Sequence, residues 1–356
     1  MKIGILTSGG DCAGLNAVMR GIGLYVYRNI KNAEIVGFRN GYVGLIEGEC
    51  IPLRKEDFEG LLDVGGTMLG TNRTPFKLMT VPEEDGTTRL EKMCANYKKL
   101  GLDCLFTLGG AGTHRTAALL CAEGCNVIGL PKTIDNDIYG TDFTFGFHTA
   151  VDVAAEAIER VRTTADSHGR TILVEVMGNK AGWLTLYAGM AGGADAILLP
   201  EIPFNIDKVC ECVQNTYRSG KRSCIIAVAE GAVVDVEAPF KKRERAFVRV
   251  DRGEATVTAH LAEVIGERTG YETRSTVLGY IQRGGNPSAY DKVFCTRLGS
   301  YAGRLAAEGR FGVTVALCGS SITFNALADI AGRYKLVDPA SEIVAAAEGI
   351  GICLGR

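Results

Sequence analysis

The stretch FTLGGAGT, residues 106–113, joins a short apolar run to a Gly-Gly pair at the point where a helix is expected to begin. Glycines also gather at the ends of short apolar runs in ILTSGGD (5–11), GGTMLGTN (65–72) and VMGNKAG (176–182). Without side chains, the backbone N–H groups of such a turn can approach an anion closely. The layout is typical of an α/β protein that binds phosphate.

Apolar runs and helix-length segments alternate along much of the chain. The runs are unbroken, which suits strands buried on both faces of a parallel sheet. The predicted strands are Ile3–Thr7, Cys104–Leu108, Val127–Leu130, Thr171–Val176, Ala196–Leu199 and Cys224–Ala229. The predicted helices are Leu15–Tyr27, Thr113–Cys121, Thr149–Thr163 and Lys208–Tyr217. The alternation predicts a doubly wound α/β fold with mostly parallel sheets.

Composition and charge exclude several classes of protein. Hydrophobic residues make up 46% and charged residues 22% of the chain, as in an ordinary globular enzyme. The net charge of −2 gives no reason to expect a nucleic-acid or membrane partner, and a basic cluster at 241–245 is interpreted as a solvated surface. No apolar stretch approaches the roughly 18 residues of a membrane span. The N-terminal apolar run stops at Gly9, which predicts a first strand rather than a signal peptide.

The twelve cysteines are scattered, and several lie inside apolar runs, such as Cys104, Cys224 and Cys318. The sequence has no CxxC pair, and no histidine lies at zinc-ligand spacing from the closer pairs. This usage predicts free, mostly buried thiols in the reducing environment of the cytoplasm.

The common nucleotide-binding signatures are missing. The sequence contains no GxxxxGK followed by Ser or Thr, which excludes a P-loop NTPase. No GxGxxG is followed by an acidic residue about 20 positions on, which disfavours a dinucleotide oxidoreductase. Protein-kinase signatures are missing as well. Some other arrangement must hold the phosphates.

The segment PKTIDND, residues 131–137, places two aspartates directly after a predicted strand. Asp135 and Asp137 would therefore lie at the carboxyl end of the sheet, where open α/β folds bind ligands. One carboxylate there can take the proton of an attacking hydroxyl, and the second can hold Mg²⁺ or orient the first. The alternative is that both are turn residues that close the strand.

Six further blocks extend over nearly the whole chain. They are SGGDCAGLNA near the start, GGTMLGTNR (65–73), GGAGTH (109–114), RTILVEVMGNKAGW (170–183), AEG (229–231) and ETRSTVLGYIQRGGNPSAYD (272–291). In this order and spacing, the blocks and TIDND resemble the phosphofructokinase family, in a branch that mixes ATP-type and pyrophosphate-type features. The resemblance implies phosphoryl transfer from ATP to fructose 6-phosphate in glycolysis, giving fructose 1,6-bisphosphate, with Mg²⁺.

The resemblance implies roles for residues on the donor side. Asp135 would be the general base, supported by Thr133 and Asp137. Arg73 would bridge the two phosphorylated ligands, and Tyr42 would pack against the nucleotide, although a loop tyrosine is also an ordinary packing residue. The remaining donor contacts would come from Gly10, Gly109, Gly110, Gly112, Thr113 and Lys132.

On the acceptor side, the resemblance implies that three arginines clamp the acceptor's own phosphate with their planar guanidinium groups. These arginines are Arg170, Arg274 and Arg283. The sugar pocket would be lined by Met177, Gly178, Asn179 and Tyr280. Glu230 would accept hydrogen bonds from sugar hydroxyls, while Thr133 and Asp135 would contact the reacting hydroxyl.

Three positions depart from the family pattern. Ala111 stands where an aspartate is expected to engage Mg²⁺. Asn179 stands where an arginine usually neutralises the moving phosphoryl group, and Tyr280 where a histidine contact to the acceptor is common. Losing such an electrostatic group typically costs on the order of 10²–10³ in rate. Lys180 and Lys132 are the point charges available to compensate.

The departures leave the donor and the activity open at this point. Gly112 leaves room for a nucleotide where pyrophosphate enzymes carry an aspartate, whereas Lys132 is the pyrophosphate-type residue. We expect ATP as donor; the alternatives are a pyrophosphate-dependent enzyme and a kinase of another sugar phosphate or polyol. Ala111 and Asn179 also allow a catalytically silent paralogue that binds sugar phosphate. With Ala111 in the turn, Asp137 is a weak candidate metal ligand.

The expected organisation is two domains with the active site in the cleft between them. Residues 1–140 with roughly 285–335 would bind the donor, and roughly 141–284 would bind the sugar phosphate. The tail, 336–356, would return to the surface. We expect a homodimer or homotetramer in the cytoplasm, without a nucleic-acid or membrane partner.

Overall fold

The computed structural model describes residues 1–235 and 256–356, and the basic cluster at 241–245 lies outside them. The strands in the described part are β1 (Lys2–Thr7), β2 (Glu34–Phe38), β3 (Cys50–Leu53), β4 (Cys104–Gly109), β5 (Val127–Pro131), β6 (Thr171–Val176), β7 (Ala196–Leu198), β8 (Cys224–Ala229), β9 (Thr273–Val277), β10 (Val313–Cys318) and β11 (Ser321–Ala326). The helices there are α1 (Leu15–Asn29), α2 (Tyr42–Glu47), α3 (Arg89–Lys99), α4 (Ala111–Ala122), α5 (Phe147–His168), α6 (Trp183–Ala191), α7 (Ile206–Arg218), α8 (Val257–Thr269), α9 (Ala289–Ala307), α10 (Leu327–Ile330) and α11 (Glu342–Gly349). Every strand and helix predicted from the sequence is confirmed, with bounds that differ by a few residues.

The chain divides into two units. Unit 1 contains Met1–Thr149 and Arg283–Lys335, and unit 2 contains Ala150–Gln282 and Leu336–Arg356. Compared with the expected ranges, residues 141–149 belong to unit 1 rather than to the sugar-phosphate domain.

The described part of unit 1 holds a seven-stranded sheet in the order β11-β10-β5-β4-β1-β2-β3. β1 pairs in parallel with β2 and β4, and β5 pairs in parallel with β4 and β10. The two edges are antiparallel, because β3 turns back along β2 and β11 turns back along β10. Since β1, β4 and β5 are parallel neighbours, the loops that follow them leave the sheet at the same edge.

The central strands of this sheet are buried on both faces, as their unbroken apolar runs predict. All residues of β4 and of β5 are buried. Helices α1 and α9 pack closely at small residues: a Cβ added to Gly299 would lie 2.3 Å from the carbonyl oxygen of Val18. A side chain at Gly299 would therefore push the two helices apart.

The described part of unit 2 holds a four-stranded parallel sheet in the order β7-β8-β6-β9. All residues of β6 and β8 are buried, whereas the edge strand β9 is mostly exposed. Val209 and Val213 of α7 and Leu261 and Ile265 of α8 belong to its core. Their spacing of four residues gives each helix one apolar face. The predicted α/β fold with mostly parallel sheets is confirmed in both units.

The C-terminal segment 336–356 belongs to unit 2, where it lies at the surface and is anchored by a few buried residues. Cys353 forms a parallel bridge with Ala196 of β7, and the Val337 N–H donates to the Glu201 carboxylate at 2.9 Å. Val337 and Leu354 are each 2% exposed. The tail is held because these apolar side chains leave water.

The cysteines match their prediction as free thiols. None of the twelve forms a disulfide. Cys318 is exposed, and the other eleven are buried or half-buried. Cys318 lies at the end of β10, which explains its exposure despite the apolar run before it. Among the described residues, no helix combines the length and the apolar content needed to cross a bilayer.

Candidate active site

The first glycine turn follows β1 and lies against the 65–73 loop. Gly9 has a φ of +87°, a left-handed conformation that glycine adopts without steric cost. Its N–H donates to the Asn72 carbonyl at 3.0 Å, and the Thr71 hydroxyl donates to the Gly9 carbonyl at 2.7 Å. Two hydrogen bonds therefore fix this turn to the loop that carries Arg73.

Two of the predicted arginines meet at Gly10. A Cβ atom added to Gly10 would lie 3.3 Å from Arg73 Nη2 and 3.2 Å from Arg283 Cζ, so both guanidinium groups lie beside this glycine. Arg283, which the sequence assigned to the acceptor side, belongs to unit 1. Planar guanidinium groups bind phosphate through paired N–H donors, so their placement beside a bare backbone favours an anion there.

Lys132 connects the first glycine turn to the second. Its Nζ donates to the Gly10 carbonyl, and its backbone N–H donates to the Gly109 carbonyl at 3.0 Å. The residue is 4% exposed. Burial lowers the pKa of Lys132, while acidic neighbours that include Asp135 oppose the shift. A buried ammonium group thus joins the two turns and adds positive charge between them.

The second glycine turn forms the N-terminus of α4. A Cβ added to Gly109 would lie 2.1 Å from Thr113 Oγ1, so this position has no room for a side chain. A Cβ added to Gly112 meets no atom within 4 Å, so the first turn of the helix is open on that side. The first N–H groups of a helix have no acceptor within the helix, and together with the helix dipole they favour an anion.

Buried side chains support this second turn from inside the core. Tyr42, expected to pack against the nucleotide, lies instead in the core: it is 1% exposed, and its hydroxyl donates to the Thr113 carbonyl at 2.9 Å. Burial raises its pKa. His114 is also 1% exposed, with Nδ1 at 3.0 Å from the Gly110 carbonyl and Nε2 at 2.8 Å from Thr314 Oγ1. Burial lowers the pKa of His114 to about 4, so a neutral ring holds the turn.

The TIDND segment follows β5 and forms a hydrogen-bonded loop. The Asp135 N–H donates to Thr133 Oγ1 at 3.1 Å, and the Thr144 hydroxyl donates to the Thr133 carbonyl at 2.7 Å. Asn136 is 1% exposed and has a φ of +52°, which asparagine tolerates better than most residues. Asp135 and Asp137, on either side of it, are half-buried. Burial raises the pKa of Asp137.

The residues present fit a Mg²⁺ ion that is held mainly through the donor. Ala111 offers a methyl group where the resemblance implies a carboxylate, and the described residues contain no cluster of three or more His, Cys, Asp or Glu side chains suited to a metal. Mg²⁺ is commonly bound by one or two protein carboxylates and completes its shell with substrate phosphates and water. Asp137 is the carboxylate of the loop that would contact such an ion, and the positive charge of the metal would offset the burial that raises the pKa of Asp137.

In unit 2, two of the predicted phosphate-binding arginines meet one carboxylate. Arg170 Nη2 lies 2.9 Å and Arg274 Nη2 lies 2.7 Å from the same oxygen, Glu272 Oε1. The Arg170 guanidinium holds the pKa of Glu272 below its usual range. Arg170 Nε is buried without an acceptor among the described residues. The two guanidinium groups thus point at one acceptor, and one of their N–H donors has no partner among the described residues. Both features are expected of a binding site for an anion.

The Met177–Asn179 turn follows β6 and is held by Glu230. Oε1 of Glu230 accepts from the Asn179 N–H at 2.7 Å and from the Gly178 N–H at 3.3 Å. The Met177 N–H donates to the Gln282 side chain at 3.2 Å. Glu230, expected to bind sugar hydroxyls, therefore also shapes the turn with one of its oxygens.

The two groups of unit 2 lie at opposite ends of one strand. Arg170 precedes β6 and Met177 follows it. Seven residues of strand rise separate them, which is roughly 20 Å. Tyr280, expected in the sugar pocket, is 79% exposed. Within one chain, the structure does not bring the arginine pair and the Met177 turn together.

Unit 1, in contrast, gathers its predicted residues at the edge of one sheet. They are Gly10, Arg73, Gly109, Gly110, Gly112, Thr113, Lys132, Thr133, Asp135, Asp137 and Arg283. Sequence reasoning missed His114, Asn136 and Lys335. His114 and Asn136 lie inside the quoted motifs, where their polar side chains were a visible signal. Lys335 bonds to Asn136 from 199 residues away, and no local pattern indicates that contact.

Comparisons with known proteins identify the family of this chain. The family described as Phosphofructokinase matches residues 2–306. A protein of Spirochaeta thermophila named ATP-dependent 6-phosphofructokinase is 49% identical, over 99% of this chain and 97% of that protein. A protein of Amycolatopsis methanolica named pyrophosphate–fructose 6-phosphate 1-phosphotransferase is 46% identical, over 95% of this chain and 97% of the other.

A solved structure shares the fold as well. It is the phosphofructokinase from Saccharomyces cerevisiae, with a TM-score of 0.78 and 30% identity over 93% of this chain. The match covers 45% of the yeast chain, so this chain spans less than half of its length. With a family match over most of its length and close relatives that it covers almost completely, this chain belongs to the phosphofructokinase family.

Proposed function

We propose that this chain is an ATP-dependent 6-phosphofructokinase of glycolysis, which converts fructose 6-phosphate and ATP into fructose 1,6-bisphosphate and ADP. The observation that carries the proposal is the common edge of β1, β4 and β5. Both glycine turns and the TIDND loop follow these parallel neighbours, so anion-binding backbone and a carboxylate meet at one edge. The name of the Spirochaeta thermophila relative, ATP-dependent 6-phosphofructokinase, supports the same reaction.

Asp135 acts as the general base that takes the proton of the acceptor hydroxyl. General-base catalysis by a positioned carboxylate contributes roughly 10²–10⁴-fold in rate. Thr133 supports the base, since its hydroxyl accepts the Asp135 N–H at 3.1 Å. Asp137 supports it from the other side of Asn136. The loop therefore presents one carboxylate for proton transfer and a second beside it.

Donor phosphates bind at the two glycine turns, through the N–H groups around Gly10 and those at the start of α4. Arg73, Arg283 and Lys132 add positive charge at the first turn. Phosphoryl transfer asks little covalent chemistry of the protein, so positioning and charge neutralisation supply most of the catalysis. Mg²⁺, when bound with the donor, supplies further neutralisation, and Asp137 is the residue that would contact it.

The acceptor binds at the turn that follows β6, through Met177, Gly178 and Asn179, with Glu230 and Tyr280 beside its hydroxyls. Arg170 and Arg274 bind the phosphate group of the acceptor. In the complex this phosphate replaces the Glu272 carboxylate as their partner. Because the pair lies roughly 20 Å from the Met177 turn of the same chain along the strand, we infer that the pair serves an acceptor held by another copy. This separation supports a homodimer or homotetramer. Twelve free thiols support a cytoplasmic location.

A pyrophosphate-dependent reaction is the second candidate. Lys132 favours it, as does the name of the Amycolatopsis methanolica relative, pyrophosphate–fructose 6-phosphate 1-phosphotransferase. The open space around Gly112 favours ATP, because nothing there crowds a nucleotide. Ala111 and Asn179 support a third candidate, a silent paralogue that binds sugar phosphate without turnover.

A donor and acceptor panel tests the proposal. Purified protein with Mg²⁺ is assayed with ATP and with pyrophosphate, each against fructose 6-phosphate and other sugar phosphates, and products are identified by mass spectrometry. The proposal expects fructose 1,6-bisphosphate to form faster with ATP than with any other donor. Faster turnover with pyrophosphate would select the second candidate. Binding of fructose 6-phosphate without transfer from either donor would select the third.

A further inference from the structure

Lys335 bonds to the TIDND loop although 199 residues separate it from Asn136. Its Nζ donates to Asn136 Oδ1 at 3.1 Å, to the Thr141 carbonyl at 2.9 Å and to the Asp142 carbonyl at 2.6 Å. Its backbone N–H donates to the Asp137 carbonyl at 2.9 Å. Lys335 thus contacts four points of segment 136–142, which includes Asp137 and directly follows Asp135.

Asn136 transmits these contacts to the aspartates. Its Oδ1 accepts from the Thr144 N–H at 3.1 Å, and its Nδ2 donates to the Asp142 carbonyl at 3.3 Å. With a left-handed φ and a buried amide, Asn136 is fixed in both backbone and side chain. Since Asp135 and Asp137 adjoin it directly, the fixed position of Asn136 constrains the backbone of both.

The far end of the loop is held independently of Lys335. The Asp142 N–H donates to the Leu317 carbonyl at 2.9 Å, and the Leu317 N–H donates to Thr141 Oγ1 at 2.9 Å. The Gly319 N–H donates to Asp142 Oδ2 at 2.6 Å. These bonds anchor the loop to β10 and to the turn after it. Loss of Lys335 would therefore loosen the middle of the loop while its far end stays attached.

The Lys335 ammonium is half-buried and meets three oxygen acceptors, which indicates that its bonds are specific. Burial lowers the pKa of Lys335 to about 8, against the attraction of Asp142 and Asp137. A buried charge persists when its hydrogen-bonding capacity is satisfied, and an ammonium has three donors for the three oxygens that it meets here. An apolar side chain in its place would leave those oxygens without this donor.

We propose that Lys335 is a positioning residue, which fixes the TIDND loop so that Asp135 reaches the acceptor hydroxyl. The kinetic part of this inference rests on the proposed function, and the structural part rests on the contacts alone. Misplacement of a reacting group by about 1 Å can cost on the order of 10² in rate. Loss of Lys335 is therefore expected to lower kcat while substrate binding persists.

The test compares Lys335→Met with Lys92→Met, which removes another bonded ammonium from unit 1. Lys92 Nζ pairs with Glu83 at 2.7 Å and Asp85 at 2.8 Å, apart from the loop. For Lys335→Met we expect kcat to fall about 10- to 100-fold with KM changed less than about threefold. Hydrogen–deuterium exchange over residues 133–144 should rise about tenfold in that variant. Lys335→Arg keeps the positive charge and should recover part of the lost kcat and part of the lost protection from exchange. Lys92→Met should change neither kcat nor exchange in this segment.

Wild-type kcat and wild-type exchange in Lys335→Met would overturn the proposal. Equal effects in Lys92→Met would overturn it as well, because they would reflect general destabilisation. If Lys335→Met does not fold, Lys335→Gln replaces it under the same criteria. If the wild-type protein transferred no phosphoryl group, the proposed function would be refuted. The exchange measurement would still decide whether Lys335 holds the loop.

Discussion

Gly112→Asp tests whether the second glycine turn selects the donor. No atom lies within 4 Å of a Cβ added at Gly112, so an aspartate fits there without displacing the protein. An acidic side chain in the first turn of a helix stabilises it by about 0.3–1 kcal/mol. The variant is therefore expected to keep or slightly raise its melting temperature. A kinetic change can then be attributed to altered donor binding rather than to lost stability.

The expected kinetic effect has an electrostatic and a steric part. A carboxylate about 6 Å from one phosphate charge opposes binding by about 2.8 kcal/mol at an effective dielectric constant of 20, which is about 100-fold. That repulsion acts on ATP and pyrophosphate alike. With ATP, the side chain also takes space that the nucleotide needs, and such overpacking costs about 1–3 kcal/mol more. The kcat/KM for ATP should therefore fall about tenfold further than that for pyrophosphate.

Steady-state rates with both donors and fructose 6-phosphate measure the difference. Gly112→Ala is the matched control, since its methyl group meets no protein atom and carries no charge. Its kcat/KM should stay within about threefold of the wild type. Equal losses with ATP and pyrophosphate in Gly112→Asp would refute the view that this turn excludes or admits the nucleotide.

Three further predictions follow from the same structure. Ala111→Asp should raise activity about tenfold or more and create Mg²⁺ binding that the donor-free wild type lacks, measured by kinetics and calorimetric titration; an impaired variant would contradict the expected turn geometry. His114 has a pKa of about 4 when folded against an ordinary 6.5, so the unfolded chain binds the extra proton as pH falls. The contribution of His114 to stability should be constant above pH 6.5 and should then decline towards pH 4 by up to about 1.4 kcal/mol per pH unit, so urea unfolding of His114→Gln should show a shallower decline than the wild type. Cys353 should be alkylated by iodoacetamide at a lower pH than an ordinary thiol, because the neighbouring Cys212 thiol and the Gly355 N–H lower its pKa; a midpoint at the ordinary value near pH 9 would contradict this.

The parallel core could be predicted because burial leaves a direct mark on sequence. β4 and β5 consist almost entirely of apolar residues and end at glycine or proline, and all of their residues are buried. The antiparallel edges could not be predicted in the same way. β3 has four residues, and β11 is half-exposed along its length, so neither carries a strong apolar period.

The candidate site was predictable where its chemistry is local. The glycine turns and the aspartates of TIDND can be recognised from adjacent residues. Contacts between distant segments cannot, and the meeting of Arg73 with Arg283 at Gly10 depends on three separate stretches of chain. Tyr42 shows the same limit, because its sequence neighbours do not reveal that its ring is buried.

The turnover of Asp135→Asn tests the central claim most directly. Asp103→Asn is the matched control, because Asp103 is exposed at the opposite end of the same sheet, where it accepts the Lys2 N–H at 2.7 Å. With saturating ATP, Mg²⁺ and fructose 6-phosphate, kcat of Asp135→Asn should fall by about 10²–10⁴-fold while acceptor affinity, measured by calorimetry, stays within about threefold. The control should match the wild type. If Asp135→Asn kept more than about a tenth of wild-type turnover, Asp135 would not be the base.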